Sequence, residues 1–362
     1  MTITSTTPAS PLFALHSGGA VTAIGNSLNQ TAASWLTQVR RMRRIKVADF
    51  ADPFTIADCE TVTAGKYGAD RLSAMLISAV NEAMGGVTGL NLGKSGIALE
   101  ILLLPSWLDK DEADKVNEAL TKSLASWTQW NASVNERNIM RAGSVGPWLA
   151  LEYAYRALEH NPDLQYVLIA ATDSLCEPKL LVDAANAELL FSATNSQGYI
   201  PGEAAACILI TRTASIRMLA VDSFGLHRPR FARSQQSIWP AENRPDATPL
   251  TETLSTALQA ARLEAQHISH LESDMDGSSW RAQIESDALT RTVFSQTSSL
   301  PQWRPVNLLG HTGIAGGLIG WLLPAVLQGR KIEQVNSVLN WTVDPSGEFA
   351  ANVLERSPKI PD

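Results

Sequence analysis

Four short segments hold residue types that could do chemistry together. Ala142-Gly143-Ser144-Val145-Gly146 is close to the nucleophile elbow G-x-S-x-G, with alanine in the first place. A serine at a strand-to-helix turn can face a substrate, while backbone N–H groups at the helix start stabilise an oxyanion. It needs a base within hydrogen-bond reach, which the sequence does not place. Without one, Ser144 reads as a capping serine in a tight turn. Gly198-Tyr199-Ile200-Pro201-Gly202-Glu203 sets a carboxylate just before an apolar run, either as a working acid or as an acceptor of backbone N–H groups in its own turn. Gly310-His311-Thr312-Gly313 sets an imidazole before a helix packed so closely that glycine and alanine dominate its start. His311 is then a working base or a structural residue of the turn. Asp276-Gly277 precedes a helix holding Glu285.

Other motifs fail on spacing. Gly89-Leu-Asn-Leu-Gly93-Lys94-Ser95 has three residues between its glycines where a phosphate-binding loop needs four. A strand follows it, not the helix whose N-terminus would hold phosphate. There is no HExxH, no EF-hand loop and no dinucleotide fingerprint, so neither a metal nor a cofactor is expected. Cys59, Cys176 and Cys207 form no CxxC pair. Cys176 reads as a small apolar residue.

Alternating elements must position these groups. Apolar runs mark buried strands at 97–104, 167–171 and 204–211, the last of them central, with a further strand at 216–224. Helical spacing appears at 29–39, at 70–84 with Asp70 as N-cap, and at 109–127, 147–158, 251–265 and 280–293. Residues 47–68 and 226–247 read as irregular, and a strand pair at 335–343 and 348–355 closes the chain. Strands alternating with helices over two comparable halves predict α/β layers. The chain has 362 residues, 45% of them hydrophobic and 18% charged, which excludes a disordered protein. A formal charge of −7 argues against wrapping nucleic acid. The N-terminus lacks the features of a signal peptide, so a cytoplasmic protein is expected. The charge-free run 308–328 is long enough to span a bilayer, but His311 and Pro324 lie inside it and no second span exists. A soluble helix buried on all sides is apolar all round in the same way.

Taken together, the Pro-Gly-Glu-Ala segment at 201–204 and the Gly-His-x-x-x-Ala-x-Gly segment at 310–317 resemble β-ketoacyl synthases of the thiolase-like superfamily. The resemblance covers nearly the whole chain. It implies an αβαβα five-layer sandwich of two duplicated halves, here 11–213 and 214–358, usually dimeric. In that family a cysteine at the start of a central helix holds an acyl chain. Two histidines help extend it with a malonyl unit delivered by an acyl carrier protein.

Mapped residue by residue, the chain departs from the family where the chemistry is done. Ser144 (or Gly143, with a one-residue shift) stands at the cysteine position. Asp276, in Asp276-Gly277-Ser278-Ser279, stands where the first histidine is expected, and His311 matches the second. The glycine-rich gating loop appears as 339–347 without its Phe-Gly-Phe-Gly-Gly pattern. A serine hydroxyl stays neutral without an adjacent base. An anionic Asp276 would repel the enolate that malonyl decarboxylation creates. The resemblance therefore implies a catalytically degenerate protein acting as an adaptor or partner, similar to short thiolase-like proteins beside type VI secretion genes that take part in effector loading. The alternative is a divergent acyltransferase using Ser144 with His311. Expected partners are a secretion effector, a larger adaptor or an acyl carrier protein, with a homodimer or a heterodimer with a homologue. The basic run Arg40–Lys46 either docks an acidic partner or is a solvated face.

Overall fold

The computed structural model describes residues 11–48, 50–87, 97–127, 134–213, 224–234, 246–297 and 299–356. The segment Gly89–Ser95 and most of the strand expected at 216–224 lie outside these residues.

The first half contains β1 (Phe13–Thr22), α1 (Leu28–Leu36), β2 (Arg43–Ile45), β3 (Phe54–Ile56), α2 (Glu60–Thr63) and α3 (Gly68–Gly85). It continues through β4 (Ile97–Pro105), α4 (Lys110–Ala125), β5 (Val134–Ala142), α5 (Gly146–His160), β6 (Leu164–Ser174), α6 (Pro178–Asn186) and β7 (Glu203–Arg212). The second half contains β8 (Phe224–Leu226), β9 (Arg230–Arg233), α7 (Thr248–Ala261), β10 (His270–Ser273) and α8 (Ser279–Arg291). It ends with β11 (Gln302–Trp303), α9 (Val306–Leu309), α10 (Gly316–Gly329), β12 (Ser337–Val343) and β13 (Glu348–Arg356).

Pairing is the same in both halves. β5, β4 and β6 run parallel and β7 joins antiparallel; β11, β10 and β12 run parallel and β13 joins antiparallel. β8 links the halves by pairing with both β1 and β13. Apolar side chains divide the molecule into layers. α3 and α4 cover the outer face of β1, β4, β6 and β7. α5 and α10 lie between the two halves, packed on strands of both. α7 and α8 cover the outer face of β12 and β13. This is the expected five-layer sandwich, and its buried middle layer explains the apolar run 308–328. Among the described residues no helix is long and apolar enough to cross a membrane. β7, buried along all but its last residue, sits between β1 and β6, as its unbroken apolar run predicts.

Several expectations need correction. α3 starts at Gly68 with Tyr67 as N-cap, so Asp70 lies in its first turn and caps nothing. Its charge still suits the positive end of the helix. The stretch 47–68 holds β3 and α2, and 226–247 holds β9. β2 lies inside the basic run, where Arg43 pairs with the Asp58 carboxylate through Nε at 3.0 Å and Nη2 at 2.5 Å. One member of that run is thus committed within the chain.

The second half carries a buried acid with a testable signature. Glu285 of α8 accepts hydrogen bonds from Trp341 Nε1 at 3.1 Å and Ser273 Oγ at 3.2 Å. Burial, reinforced by Asp274, pushes its carboxyl from 4.5 up to about 7. A carboxyl whose pKa is raised on folding adds stability below its unfolded pKa and loses it as pH climbs through the folded one. Glu285→Gln should therefore flatten the dependence of Tm on pH between about 4.5 and 7. At pH 8 it should gain up to about 3 kcal/mol. Thermal melts from pH 4 to 8 measure both effects, and a slope unchanged from the parent protein would refute the assignment.

Candidate active site

Four turns converge at one end of the central helices. β5 delivers the chain to Ser144, and Pro147 near the first turn of α5 suits a helix start. The β10–α8 turn brings Asp274 and Asp276, the turn after α9 brings His311, and the β12–β13 turn brings Asp344. Ser144 and His311 are buried, and Asp276 is half-buried with its side chain turned inward.

Ser144 is not the cap of its helix; that position is Val145, without a side-chain cap bond. Among the described residues its Oγ makes no hydrogen bond, so no base is attached to it. Its backbone N–H donates to Asp344 Oδ2 at 2.9 Å. The carboxylate reaches so close because residue 143 is glycine, and a Cβ there would overlap it. Asp344 is pinned in turn by Ser346, whose N–H and Oγ donate to Oδ1 at 2.9 and 2.7 Å.

Asp276 accepts from Ser278 N–H at 3.0 Å and Ser278 Oγ at 2.6 Å. Burial works against its charge, yet Arg281, His311 and Ser278 hold its carboxyl below the usual range. It is therefore an anion at neutral pH. Arg281, 1% exposed, is the centre of the cluster. Its Nη1 donates to Asp274 O at 2.6 Å and lies 3.2 Å from Asp274 Oδ1. Its Nη2 donates to Val343 O, and its Nε is 3.7 Å from Asp276 Oδ2.

His311 is fixed through its backbone. Its N–H donates to Ile200 O at 2.7 Å, and its carbonyl accepts from Gly202 N–H at 2.9 Å. The Tyr199 ring meets the imidazole edge-on at 5.7 Å. Burial, together with Arg281, lowers the imidazole pKa against the opposing pull of Asp276, Asp274 and Asp344. The ring is neutral at pH 7, and its Nδ1 has no hydrogen-bond partner.

Glu203 stands apart, as a purely structural acceptor between β7, α2 and α3, bound to Arg71 and to three further donors. Cys176 and Cys59 are buried thiols whose pKa burial drives well up. A cleft of about 430 Å3 between the β2–β3 hairpin, α2 and α6 contains Cys176 and Arg43 but neither Ser144 nor His311. No group of His, Cys, Asp and Glu among the described residues is arranged to hold a metal.

The turns that carry Ser144, Asp276 and His311 also bring Arg281 and Asp344, which sequence reasoning did not single out, and it did not single out Asp173 either. Asp173, at the end of β6, accepts from Ile314 N–H at 3.0 Å and Trp107 Nε1 at 3.1 Å. Burial raises its carboxyl to about 6 despite these donors. Arg281 follows the glycine-marked turn at Asp276-Gly277, a signal that could have found it, whereas Asp344 lies in an Asp-Pro-Ser-Gly turn that carries none.

Solved structures supply the class. No family model matches the sequence, and no curated protein matches it. The fold is that of the ketosynthases. It is similar to a type II polyketide synthase acyl carrier protein in complex with its ketosynthase, with a TM-score of 0.75, 11% identity, and coverage of 96% of this chain and 100% of that one. The oxazolomycin ketosynthase domain from Streptomyces albus gives 0.76 and 13%, covering 97% and 75%. A β-ketoacyl synthase from Burkholderia phymatum gives 0.72 and 14%, covering 96% and 100%. At these identities the likeness is one of fold.

Proposed function

We propose that this chain is a ketosynthase-fold protein that no longer condenses acyl groups and serves as a partner for another protein. The observation that carries the reading is the Asp344 carboxylate on the Ser144 N–H. Attack on a thioester turns its carbonyl oxygen into an anion, which needs such a backbone donor at the nucleophile. Here the donor is occupied by a negative group that would repel the anion. Asp276 adds a second negative charge where enolate formation requires hydrogen-bond donation, and the Ser144 hydroxyl lacks a base. The halves 11–213 and 214–358 then persist as a scaffold and a dimerisation surface, with itself or with a homologue. The partner in view is a type VI secretion effector or its larger adaptor. An acyl carrier protein docked on the exposed part of Arg40–Lys46 is the other candidate.

A second reading, acyl transfer through Ser144, draws support from the neutral His311 with its free Nδ1, which is the protonation state of a general base. Incubation with acyl carrier protein thioesters followed by intact-mass measurement separates the two. The wild-type chain should stay unmodified, and so should Ser144→Cys, because Asp344 still holds the amide. Ser144→Cys combined with Asp344→Gly should gain an acyl adduct. A wild-type adduct that disappears in Ser144→Ala would establish acyl transfer instead. Co-purification with a secretion effector should survive the Ser144→Ala/His311→Ala double substitution. Loss of that capture would tie partner binding to the site itself.

A further inference from the structure

A file of buried polar side chains leaves the Ser144 site and runs into the core between β10, β12 and the central helices. Successive strand residues alternate faces, so Glu272 and Asp274 share one side along β10 and its extension, as Asn340, Thr342 and Asp344 do along β12. The register sets Glu272 beside Asn340, and Asn340 beside Asn352 of β13. Thr342 Oγ1 donates to Asp274 Oδ2 at 2.6 Å, tying the two columns together. This face meets the middle layer. Trp148 Nε1 of α5 donates to Asn352 Oδ1 at 2.9 Å. Glu272 lies against Gly320 of α10, where a methyl group would come within 2.5 Å of both carboxyl oxygens.

Thirteen buried side-chain nitrogen and oxygen atoms among the described residues have no hydrogen-bond partner, and eight belong to this file or its mouth. Five are at the inner end: Glu272 Oε2, both amide atoms of Asn340, Asn352 Nδ2 and Trp321 Nε1. The Trp321 ring meets Trp148 edge-on at 5.6 Å. Asp274, Arg281 and His311 supply the other three at the mouth. Native cores leave only a few such atoms per hundred residues, so a concentration of them in one place points to a shared polar partner between them.

The chemistry of the five atoms selects the occupant. Asn352 Nδ2, Asn340 Nδ2 and Trp321 Nε1 can only donate, whereas Asn340 Oδ1 can only accept and Glu272 Oε2 accepts or, when protonated, donates. A cation would leave the donors unmet and an anion the acceptors. Water does both, and buried waters characteristically bond about three such groups. We infer that ordered water molecules fill the inner end of the file, bonded to Glu272, Asn340, Asn352 and Trp321, and connect it to the site at its mouth. Burial, reinforced by Asp274 and Glu285, drives the Glu272 carboxyl well above its usual range.

Two measurements test this. A crystal structure of the whole chain at a resolution that shows solvent should contain water within hydrogen-bond distance of Asn340 and of Glu272 or Asn352. The sign of a stability change gives the second test. If Asn340 is dry, Asn340→Leu removes two unmet polar atoms and raises Tm. If it is hydrated, leucine expels the water, strands Glu272 and Asn352, and lowers Tm by about 2 °C or more. Glu272→Gln and Asn340→Leu should then combine with a non-additive shift, since they share a solvent partner. A higher Tm for Asn340→Leu would overturn the inference. Absence of water peaks at the inner end would overturn it whichever way the melt goes.

Discussion

Glu203→Ala is expected to destabilise the protein by about 3–5 kcal/mol, the range for breaking a buried ion pair from one side. The Glu203 side chain is completely buried. One oxygen accepts from Cys59 N–H at 2.7 Å, Thr63 Oγ1 at 2.8 Å and Arg71 Nη2 at 3.0 Å. The other accepts from Arg71 Nε at 2.5 Å and Ser174 Oγ at 2.7 Å. Alanine would leave three neutral donors unmet and a guanidinium, 9% exposed, with the Glu177 carboxylate at 3.9 Å and the Lys66 carbonyl at 3.2 Å to answer it. Arg71→Met should cost less, because the carboxylate keeps its three neutral donors. Arg71→Met/Glu203→Ala should cost less than the two single losses added together, since neither charge is then stranded. Denaturant melts of the four proteins close the cycle. A Glu203→Ala loss below about 1 kcal/mol, the size of an exposed pair, would remove this cluster from the list of what holds β7 to α2 and α3.

The same residue shows why parts of the fold were legible and others were not. Glu203 announced itself because a charge at the head of an unbroken apolar run must be paired. β4, β6 and β7 were readable for a related reason: burial on both faces leaves no polar alternation. β5 was not, because Val134–Ala142 is an edge strand with β4 alone beside it, and its polar residues break the apolar signal. β2 is three residues of a basic run and carries no pattern of its own. In the site, Ser144, Asp276 and His311 stood out through the glycines that shape their turns. Asp344 did not, because Asp-Pro-Ser-Gly describes an ordinary turn, and its reach to Ser144 spans 200 positions. Arg281 failed differently. An arginine in the first turn of a helix reads as solvated, and burial becomes affordable only because Asp274 and Asp276 arrive from the preceding turn.

Arg281→Met should cost about 3–5 kcal/mol at neutral pH, for the mirror-image reason. Removing the guanidinium leaves Asp276 as a buried anion with the two Ser278 donors alone, takes the ion-pair partner from Asp274, and strips two backbone carbonyls of their donor. Asp276→Asn in the same chain should recover part of the loss, because the stranded charge is gone. The pH dependence has a definite sign. A carboxyl held below its usual pKa in the fold contributes stability above its unfolded pKa and loses it as pH falls through the folded one. Asp276 is such a group, so wild type and Arg281→Met should differ most above about pH 4 and converge in more acidic solution. Packing loss alone would leave the difference flat. The imidazole supplies an independent reading, since Arg281 is one of the two causes that lower the His311 pKa. In Arg281→Met the His311 titration, followed by NMR, should move to higher pH, with burial alone left to oppose Asp276, Asp274 and Asp344. An unmoved titration would mean that the guanidinium does not face the ring, and that the cluster is two separate contacts instead of one site.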